Sequence, residues 1–258
     1  MRLRIGIAGV AGRMGRMLVE ETRAAGAILA GGIDRPGADV PEGVTLFADI
    51  AALAAASDVV IDFTHASTAR PHAAALAAKQ AAWVIGTTGL SAEDEQAVAA
   101  TAKSIPVMYA PNYSPGVNLV MALAERMAAA LPADAYDAEI VEMHHRQKVD
   151  APSGTALGMG RAVAAGRGVK LDDVMQSGRD GHTGARAAGA IGFAALRGGQ
   201  VVGDHTLLFA GATEHISISH QAFDRRVFAT GAVRAGLWVR QRGPGLYSMM
   251  DVLGLTGG

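Results

Sequence analysis

The sequence predicts an α/β protein: a doubly wound parallel-sheet domain, then an α+β domain with a mixed or antiparallel sheet. Three observations predict it. Short, nearly continuous apolar runs alternate with helix-period stretches through the first 110 residues, as in a parallel sheet covered on both faces. A glycine turn, G-V-A-G-R-M-G at 9–15, joins the first apolar run to the first helical stretch. Beyond P-N-Y-S-P-G at 111–116 the runs take on period-two alternation and lose their regular intervening helices, which points to a second sheet of different kind.

The elements follow in order. Leu3–Ala8 is a short buried strand, and Arg13–Ala25 has helical spacing with Met14, Leu18 and Val19 on one side. Ala27–Ile33 is the next strand and ends at Asp34. D-V-V-I-D-F at 58–63 is a third, followed by an alanine-rich helix through Ala78; Ala82–Gly86 is a fourth. Ser91–Lys103 reads as a helix with Ser91 as N-cap and an acidic first turn. Pro106–Ala110 is the fifth strand. Two prolines and a glycine at 111–116 stop helix and strand alike, marking a hinge or domain boundary. Val117–Ala130 is a long amphipathic helix; strand-like runs follow at Ala138–Met143, Ala190–Leu196, Val201–Phe209 and Glu214–Ser219, the last with the alternation H-I-S-I-S-H. The polar, glycine-rich stretch Ser177–Gly189 reads as a long mobile loop. Helical spacing returns from Asp224 through Trp238, and neither an internal repeat nor a disordered tail is evident.

Composition narrows the partners. Half of the 258 residues are hydrophobic and 5% are aromatic, which favours helices packed closely on a sheet. The formal net charge is −1 with no long basic or acidic run, so nucleic acid and membrane surfaces are set aside as partners. Cysteine is absent, which excludes disulfides, thiol catalysis and cysteine metal sites and fits a reducing compartment. The arginines before the first apolar run do not make a secretory signal, because that run is short and leads straight into a glycine turn. A soluble, cytoplasmic protein is expected.

Two motifs carry chemistry. In the first, Gly9, Gly12 and Gly15 allow a tight turn and close approach of a pyrophosphate, held by the N–H groups and dipole of the new helix. Ala11 stands where the usual spacing has its second glycine. Asp34, at the end of the second strand, suits ribose hydroxyls, and Arg35 beside it suits a 2′-phosphate, so both NADH and NADPH are admitted. G-T-T-G at 86–89 and A-P-N-Y at 110–113 follow the fourth and fifth strands, where such sheets bind their ligands. The expected fold is therefore Rossmann-like.

The second motif is V-E-M-H-H-R-Q-K-V-D-A-P-S-G-T at 141–155. A histidine can deliver a proton near neutral pH, and a lysine offers fixed positive charge or a proton to an anion. S-G-T opens a helix at Ser153 and makes a second anion cradle of backbone N–H groups. Glu142, His144, His145 and Asp150 are metal-ligand types, but their spacing is not that of a helical zinc motif, and no metal is expected. The residues together suggest a nicotinamide-dependent reductase of a small acidic molecule.

The segment E-M-H-H-R-Q-K-V-D-A-P-S-G-T-A resembles the signature of the 4-hydroxy-tetrahydrodipicolinate (dihydrodipicolinate) reductase family of diaminopimelate and lysine biosynthesis. The likeness runs along essentially the whole chain, through G-T-T-G, A-P-N-Y-S, R-G-G-Q-V-V-G-D-H-T at 197–206 and G-L-Y-S-M-M-D-V-L-G-L near the end. The resemblance implies that Gly9, Val10, Ala11, Gly12, Arg13 and Met14 hold the pyrophosphate and that Asp34 and Arg35 read the adenosine ribose. It implies that Gly86, Thr87 and Thr88 with Ala110, Pro111, Asn112 and Tyr113 line the nicotinamide end. His144 is implied as proton donor or acceptor and Lys148 as a second proton donor. His145, Gly154 and Thr155 are implied to bind the carboxylates of a small dicarboxylate substrate. Tyr113 stands where the family commonly has phenylalanine, and Asp34 where glutamate is frequent. The implied arrangement is a dinucleotide-binding domain of residues 1–113 and 224–258 around a substrate-binding and tetramerisation domain of 114–223, in a homotetramer. Two rival readings are a different dehydrogenase on the same fold, acting for example on aspartate or homoserine, and a non-catalytic nucleotide sensor.

Overall fold

The computed structural model describes residues 2–256. In chain order the elements are β1 (Arg4–Ala8), α1 (Arg13–Ala24), β2 (Ile28–Ile33), α2 (Ile50–Ala56), β3 (Val59–Asp62), α3 (Ala69–Lys79), β4 (Ala82–Ile85), α4 (Ala92–Thr101), β5 (Pro106–Tyr109) and α5 (Pro115–Ala130). They continue with β6 (Asp137–His144), α6 (Gly154–Gly166), α7 (Leu171–Val174), β7 (Met175–Ser177), β8 (Ile191–Arg197), β9 (Gly203–Ala210), β10 (His215–Ala222), α8 (Arg226–Val239), β11 (Gly245–Tyr247) and α9 (Met249–Leu253). A single 3-10 turn, Ala66–Thr68, precedes α3. The chain divides into two compact units, Met1–Pro115 with Arg226–Gly258, and Gly116–Arg225. Among the described residues no helix is long and apolar enough to cross a membrane.

The first unit holds a six-stranded sheet in the order β11-β5-β4-β3-β1-β2, with every pairing parallel. Strand alternation splits the apolar residues into two cores. Ile5, Ile7, Val59, Ile61, Val84 and Met108 face α1, α8 and α9. Val60, Trp83, Ile85 and Val107 face α2, α3 and α4. Both faces are therefore dry, which is why these strands read as continuous apolar runs. As the sequence predicts, Ser91 caps α4: its hydroxyl accepts from the Asp94 amide at 3.2 Å, and the Asp94 carboxylate accepts from the Ser91 amide at 3.1 Å. The sequence reading did not include α2 or β11. I-A-A-L-A-A-A shows too little contrast between faces over seven residues, and β11 has only three.

The second unit holds a five-stranded mixed sheet in the order β10-β9-β6-β8-β7. The β10–β9 and β9–β6 pairs are antiparallel; β6–β8 and β8–β7 are parallel. On one face Ala138, Ile140, Ile191, Phe193, Leu207 and Phe209 pack with Val120, Ala124 and Ala128 of α5 and Met159 and Val163 of α6. The stretch predicted to be mobile is instead tied to the sheet. Arg186 donates to Glu139 at 2.8 Å, to Asp137 at 2.7 Å and to the carbonyls of Ala138 and Ala190. Arg179 donates to both Glu139 oxygens, at 2.8 and 3.0 Å.

Candidate functional site

In the first unit a cleft of about 710 Å³ opens beyond the carboxyl ends of β1, β2 and β3. In the sheet order β2-β1-β3 successive strands are added first on one side of β1 and then on the other, which makes this the switch point at which such sheets bind nucleotides. The turn into α1 is pinned to β2 by Gly9 and Val10 amides donating to the Ile33 carbonyl at 2.9 and 3.2 Å. Gly9 has φ +83°, and a Cβ on Gly15 would stand 2.1 Å from the Gly9 carbonyl oxygen, so both positions need glycine. Gly12 caps α1 with no side-chain hydrogen bond, and its first turn holds no acid. The electropositive helix end is left to a ligand.

Of the residues predicted for the cofactor, Gly9, Ala11, Gly12, Asp34 and Arg35 line this cleft. Asp34 Oδ2 accepts from the Ala11 amide and Oδ1 from the Arg35 amide, each at 2.8 Å. The carboxylate thus braces the glycine turn and keeps lone pairs for hydroxyl donors. Val10 is wholly buried in the core, so only its backbone belongs to the turn; Arg13 and Met14 open α1 and are not among the residues that line the cleft. The residues of 86–88 and 110–113 do not line the cleft; of them, Gly86 and Tyr113 pack against Phe63, which does. A Cβ on Gly86 would meet the Phe63 ring at 2.1 Å. Thr87 donates to the Thr64 carbonyl at 3.4 Å. The Phe63 and Tyr113 rings lie 5.7 Å apart. Asn112 Oδ1 accepts from the Ser114 amide at 2.8 Å and shapes the turn into α5. The Tyr113 hydroxyl donates inward, to the Ile85 carbonyl at 2.7 Å and the Met108 carbonyl at 3.2 Å. Burial pushes its phenol well above the ordinary value. Its departure from phenylalanine is absorbed in the core.

Sequence reasoning missed F-T-H at 63–65, Thr68, His72 and Arg16, all of which line the cleft. The carboxyl-end rule, applied after β4 and β5, should also have been applied after β3, which flanks the switch point. Beneath these residues Asp62 is buried; it accepts from His72 Nδ1 at 2.6 Å and Trp83 Nε1 at 3.3 Å, which stiffens the floor.

The second site lies within the second unit, at one end of the mixed sheet's helix-covered face. The inward line of β6 runs Ala138, Ile140, Glu142, His144. Its first two residues enter the apolar core and its last two meet polar neighbours. Register places His205 of β9 opposite Glu142 and Arg197 of β8 opposite His144. Glu142 accepts from His144 Nδ1 at 2.5 Å, from Arg197 through two bonds of 2.8 Å, and from the Ser153 amide at 3.1 Å. Burial pushes the Glu142 carboxyl up, but the bonds from Arg197 and His144 outweigh it and hold it below the ordinary range. Burial pulls His144 below its ordinary value, against the opposing pull of Glu142. The His144 and His205 rings pack in a T-shaped pair, their centroids 5.0 Å apart. A Cβ on Gly203 would come within 3.0 Å of His144 Nε2.

Around this pair stand the other predicted residues. A turn closed by the Lys148 amide donating to the His145 carbonyl at 3.1 Å brings Lys148 back beside the histidines. Lys148 Nζ donates to both Asp150 oxygens, at 2.8 and 3.0 Å. His145 Nε2 accepts from Arg225 Nη2 at 3.2 Å, which leaves the neutral ring's proton on Nδ1. That buried Nδ1 has no hydrogen-bond partner among the described residues. Ser153 caps α6, its hydroxyl accepting from the Ala156 amide at 3.2 Å. Gly154 opens α6, with nothing within 4 Å of where its Cβ would be, and Thr155 follows in the same first turn. The site thus gathers an imidazole backed by a carboxylate, a lysine, an unpaired buried N–H and an open helix start. This set suits a proton transfer to a small anion.

Comparison with known proteins agrees along the whole chain. The family model for "Dihydrodipicolinate reductase, N-terminus" matches residues 3–113, and that for "Dihydrodipicolinate reductase, C-terminus" matches 116–253. The 4-hydroxy-tetrahydrodipicolinate reductase of Granulibacter bethesdensis is 66% identical over 255 residues, covering 98% of this chain and 97% of that protein. The protein of the same name from Gluconacetobacter diazotrophicus is 61% identical, covering 98% of each. Among solved structures, a dipicolinate-bound dihydrodipicolinate reductase from a Paenisporosarcina species superposes with a TM-score of 0.80 at 25% identity, over 97% of this chain and 99% of that one. A glycine-turn cleft, a histidine–lysine site on a mixed sheet and relatives matched end to end lead to one conclusion: the chain belongs to the dihydrodipicolinate reductase family.

Proposed function

We propose that the protein reduces 4-hydroxy-tetrahydrodipicolinate to tetrahydrodipicolinate with NADH or NADPH, in diaminopimelate and lysine biosynthesis. The observation that carries this reading is the Glu142-backed His144 beside Lys148, the unpaired His145 Nδ1–H and the start of α6. It is a donor-rich site for a dicarboxylate, and the related solved structure holds dipicolinate, a dicarboxylate of the same ring skeleton. In this reading unit 1 binds the dinucleotide and unit 2 the substrate.

The dinucleotide fits the residues present. Gly9, Gly12 and Gly15 leave the room a pyrophosphate needs, Asp34 accepts ribose hydroxyls, and the Arg16 and Arg35 guanidiniums meet a 2′-phosphate. With both an acid and two arginines at that place, either cofactor is accepted. When bound, the nicotinamide supplies the hydride. His145 Nδ1–H and the backbone N–H groups of Gly154 and Thr155 hold substrate carboxylates. Lys148 exchanges Asp150 for substrate, and its positive charge favours the negative charge that develops on the ring. His144 delivers the proton from Nε2. Hydride and proton add as the 4-hydroxyl leaves as water, so the balance is one NAD(P)H and one proton consumed per product and water formed.

The outer face of the mixed sheet, where Val141 and Leu196 stand exposed, serves as the subunit contact of a homotetramer, which light scattering of the purified protein checks. Dependence on the NAD(P)H pool supports a cytoplasmic location. The decisive experiment condenses pyruvate with aspartate semialdehyde enzymatically in situ and follows oxidation of NADH and NADPH separately. Turnover with either is expected; tight cofactor binding without turnover would overturn the reading in favour of a nucleotide sensor.

A further inference from the structure

Glu142 is drawn into the site by register and carries more than its share of the hydrogen bonds. It is 1% exposed, and each oxygen takes two donors. Oε2 accepts from His144 Nδ1 and Arg197 Nη1; Oε1 accepts from Arg197 Nη2 and the Ser153 amide. All its lone-pair directions are taken, so it has none left for substrate and is not itself an acid or base of the reaction.

We propose that Glu142 is the positioning residue of the proton-transfer step, fixing the His144 tautomer and locking that imidazole to the start of α6 through one carboxylate. The proposal rests on the reading of His144 as the proton donor. With Nδ1–H committed to Glu142, only Nε2 can exchange a proton with substrate. The ring cannot swing away, because the His205 ring is packed against it at a steep angle and Gly203 leaves just enough room at Nε2. Through Oε1 the same carboxylate holds the Ser153 amide, and Ser153 caps α6 and pairs with His205 Nε2 at 3.0 Å. Donor imidazole and carboxylate cradle are therefore one rigid unit. Arg197 makes this possible: an unpaired buried carboxylate would take up a proton, whereas the bidentate guanidinium keeps it anionic. Arg197 also donates to the Asp150 carbonyl at 2.6 Å, which anchors the lysine turn. The charged and titratable groups facing His144 are Glu142 on its own strand, Arg197 from β8, His205 from β9 and Lys148 from the turn.

The test is Glu142→Gln, which keeps the shape and removes the charge. Expected are a fall in kcat of at least about tenfold to a hundredfold, the cost of removing the carboxylate behind a metal-bound histidine, and an unchanged KM for the nicotinamide cofactor. The limb of the pH–rate profile set by His144 moves to lower pH, because the anion that favours the imidazolium is gone. Glu142→Asp, which restores the charge on a shorter arm, returns that limb toward its wild-type position. Should Glu142→Gln retain both rate and limb, Glu142 is only the counter-ion of Arg197 and the proposal is wrong. Imidazole 15N shifts in the wild type give a second test that needs no variant to fold. A neutral His144 protonated on Nδ1 supports the proposal, and one protonated on Nε2 overturns it. Wild-type turnover is measured alongside, so a failed activity reading is told apart from a failed role for Glu142.

Discussion

In the cleft of the first unit, a ligand meets backbone: glycine turns, helix-end amides and the ends of parallel strands. At the end of the mixed sheet it meets ionisable side chains that the fold has buried in matched sets. The first construction depends on the absence of atoms, since a Cβ at Gly15 has only backbone to push against. The second depends on charge, since Glu142, His144 and Arg197 stay buried only as a hydrogen-bonded group. The two sites should therefore fail in different ways, one to added volume and the other to lost charge or altered pH.

The largest expected effect is in the second unit. His144→Gln should lower kcat/KM by about 10²- to 10⁴-fold, the range for loss of a general acid, while the dissociation constant for NADH holds within about twofold. Parallel loss of both would break the contrast. Next is Gly15→Ala, whose Cβ would sit 2.1 Å from the Gly9 carbonyl. It should weaken NADH binding at least about tenfold and cost about 1–3 kcal/mol of stability from overpacking. Fluorescence titration and thermal melts report both.

A third test uses pH. Burial pushes His205 down to about 4 from an ordinary 6.5. The unfolded chain takes up that proton near pH 6.5 and the folded chain resists it down to about 4. Stability is therefore full above 6.5 and falls as pH drops through that window, by about 3 kcal/mol at the order-of-magnitude level. His205→Gln should flatten this acid limb in melts from pH 7 to 4; an unchanged slope would assign the acid sensitivity elsewhere. The smallest effect belongs to Arg35, which is exposed. Arg35→Ala should raise the NADPH dissociation constant about fivefold, the 1 kcal/mol of a surface ion pair, and leave NADH nearly unaffected.

Much of this was legible in the sequence, for identifiable reasons. Both-sided burial of β1, β3 and β4 writes apolar runs, and the helix starts at Ser91 and Ser153 carry their caps in the sequence. His144, His145 and Lys148 fall within one short segment, so local reading sufficed to bring them together. The partners of that segment are distant: Arg197 and His205 arrive on other strands, and only strand register reveals them. Glu142 was within reach, because period two puts it on the inward line with Ala138 and Ile140. A charged residue on a core line signals a buried partner. The tethering of the 178–190 loop was not legible, since it depends on Arg186 finding Glu139 and Asp137 across the sheet.

One feature of the first unit bears on how the chain is made. Its helix α8 closes over Ile61, Val84 and Met108, and a Cβ on Gly231 of that helix would stand 1.8 Å from the Tyr113 carbonyl. The place where the chain leaves this unit is thus sealed by the place where it returns, with Gly116–Arg225 in between. On a ribosome adding about 5–20 residues per second, the half-built sheet waits roughly 5–20 s for the rest of its cover, with one apolar face covered by α1 alone and β5 as a raw edge awaiting β11. Translation speed through the intervening segment sets how long a nascent chain is exposed to aggregation, and a pause placed there would lengthen the most vulnerable moment in its synthesis.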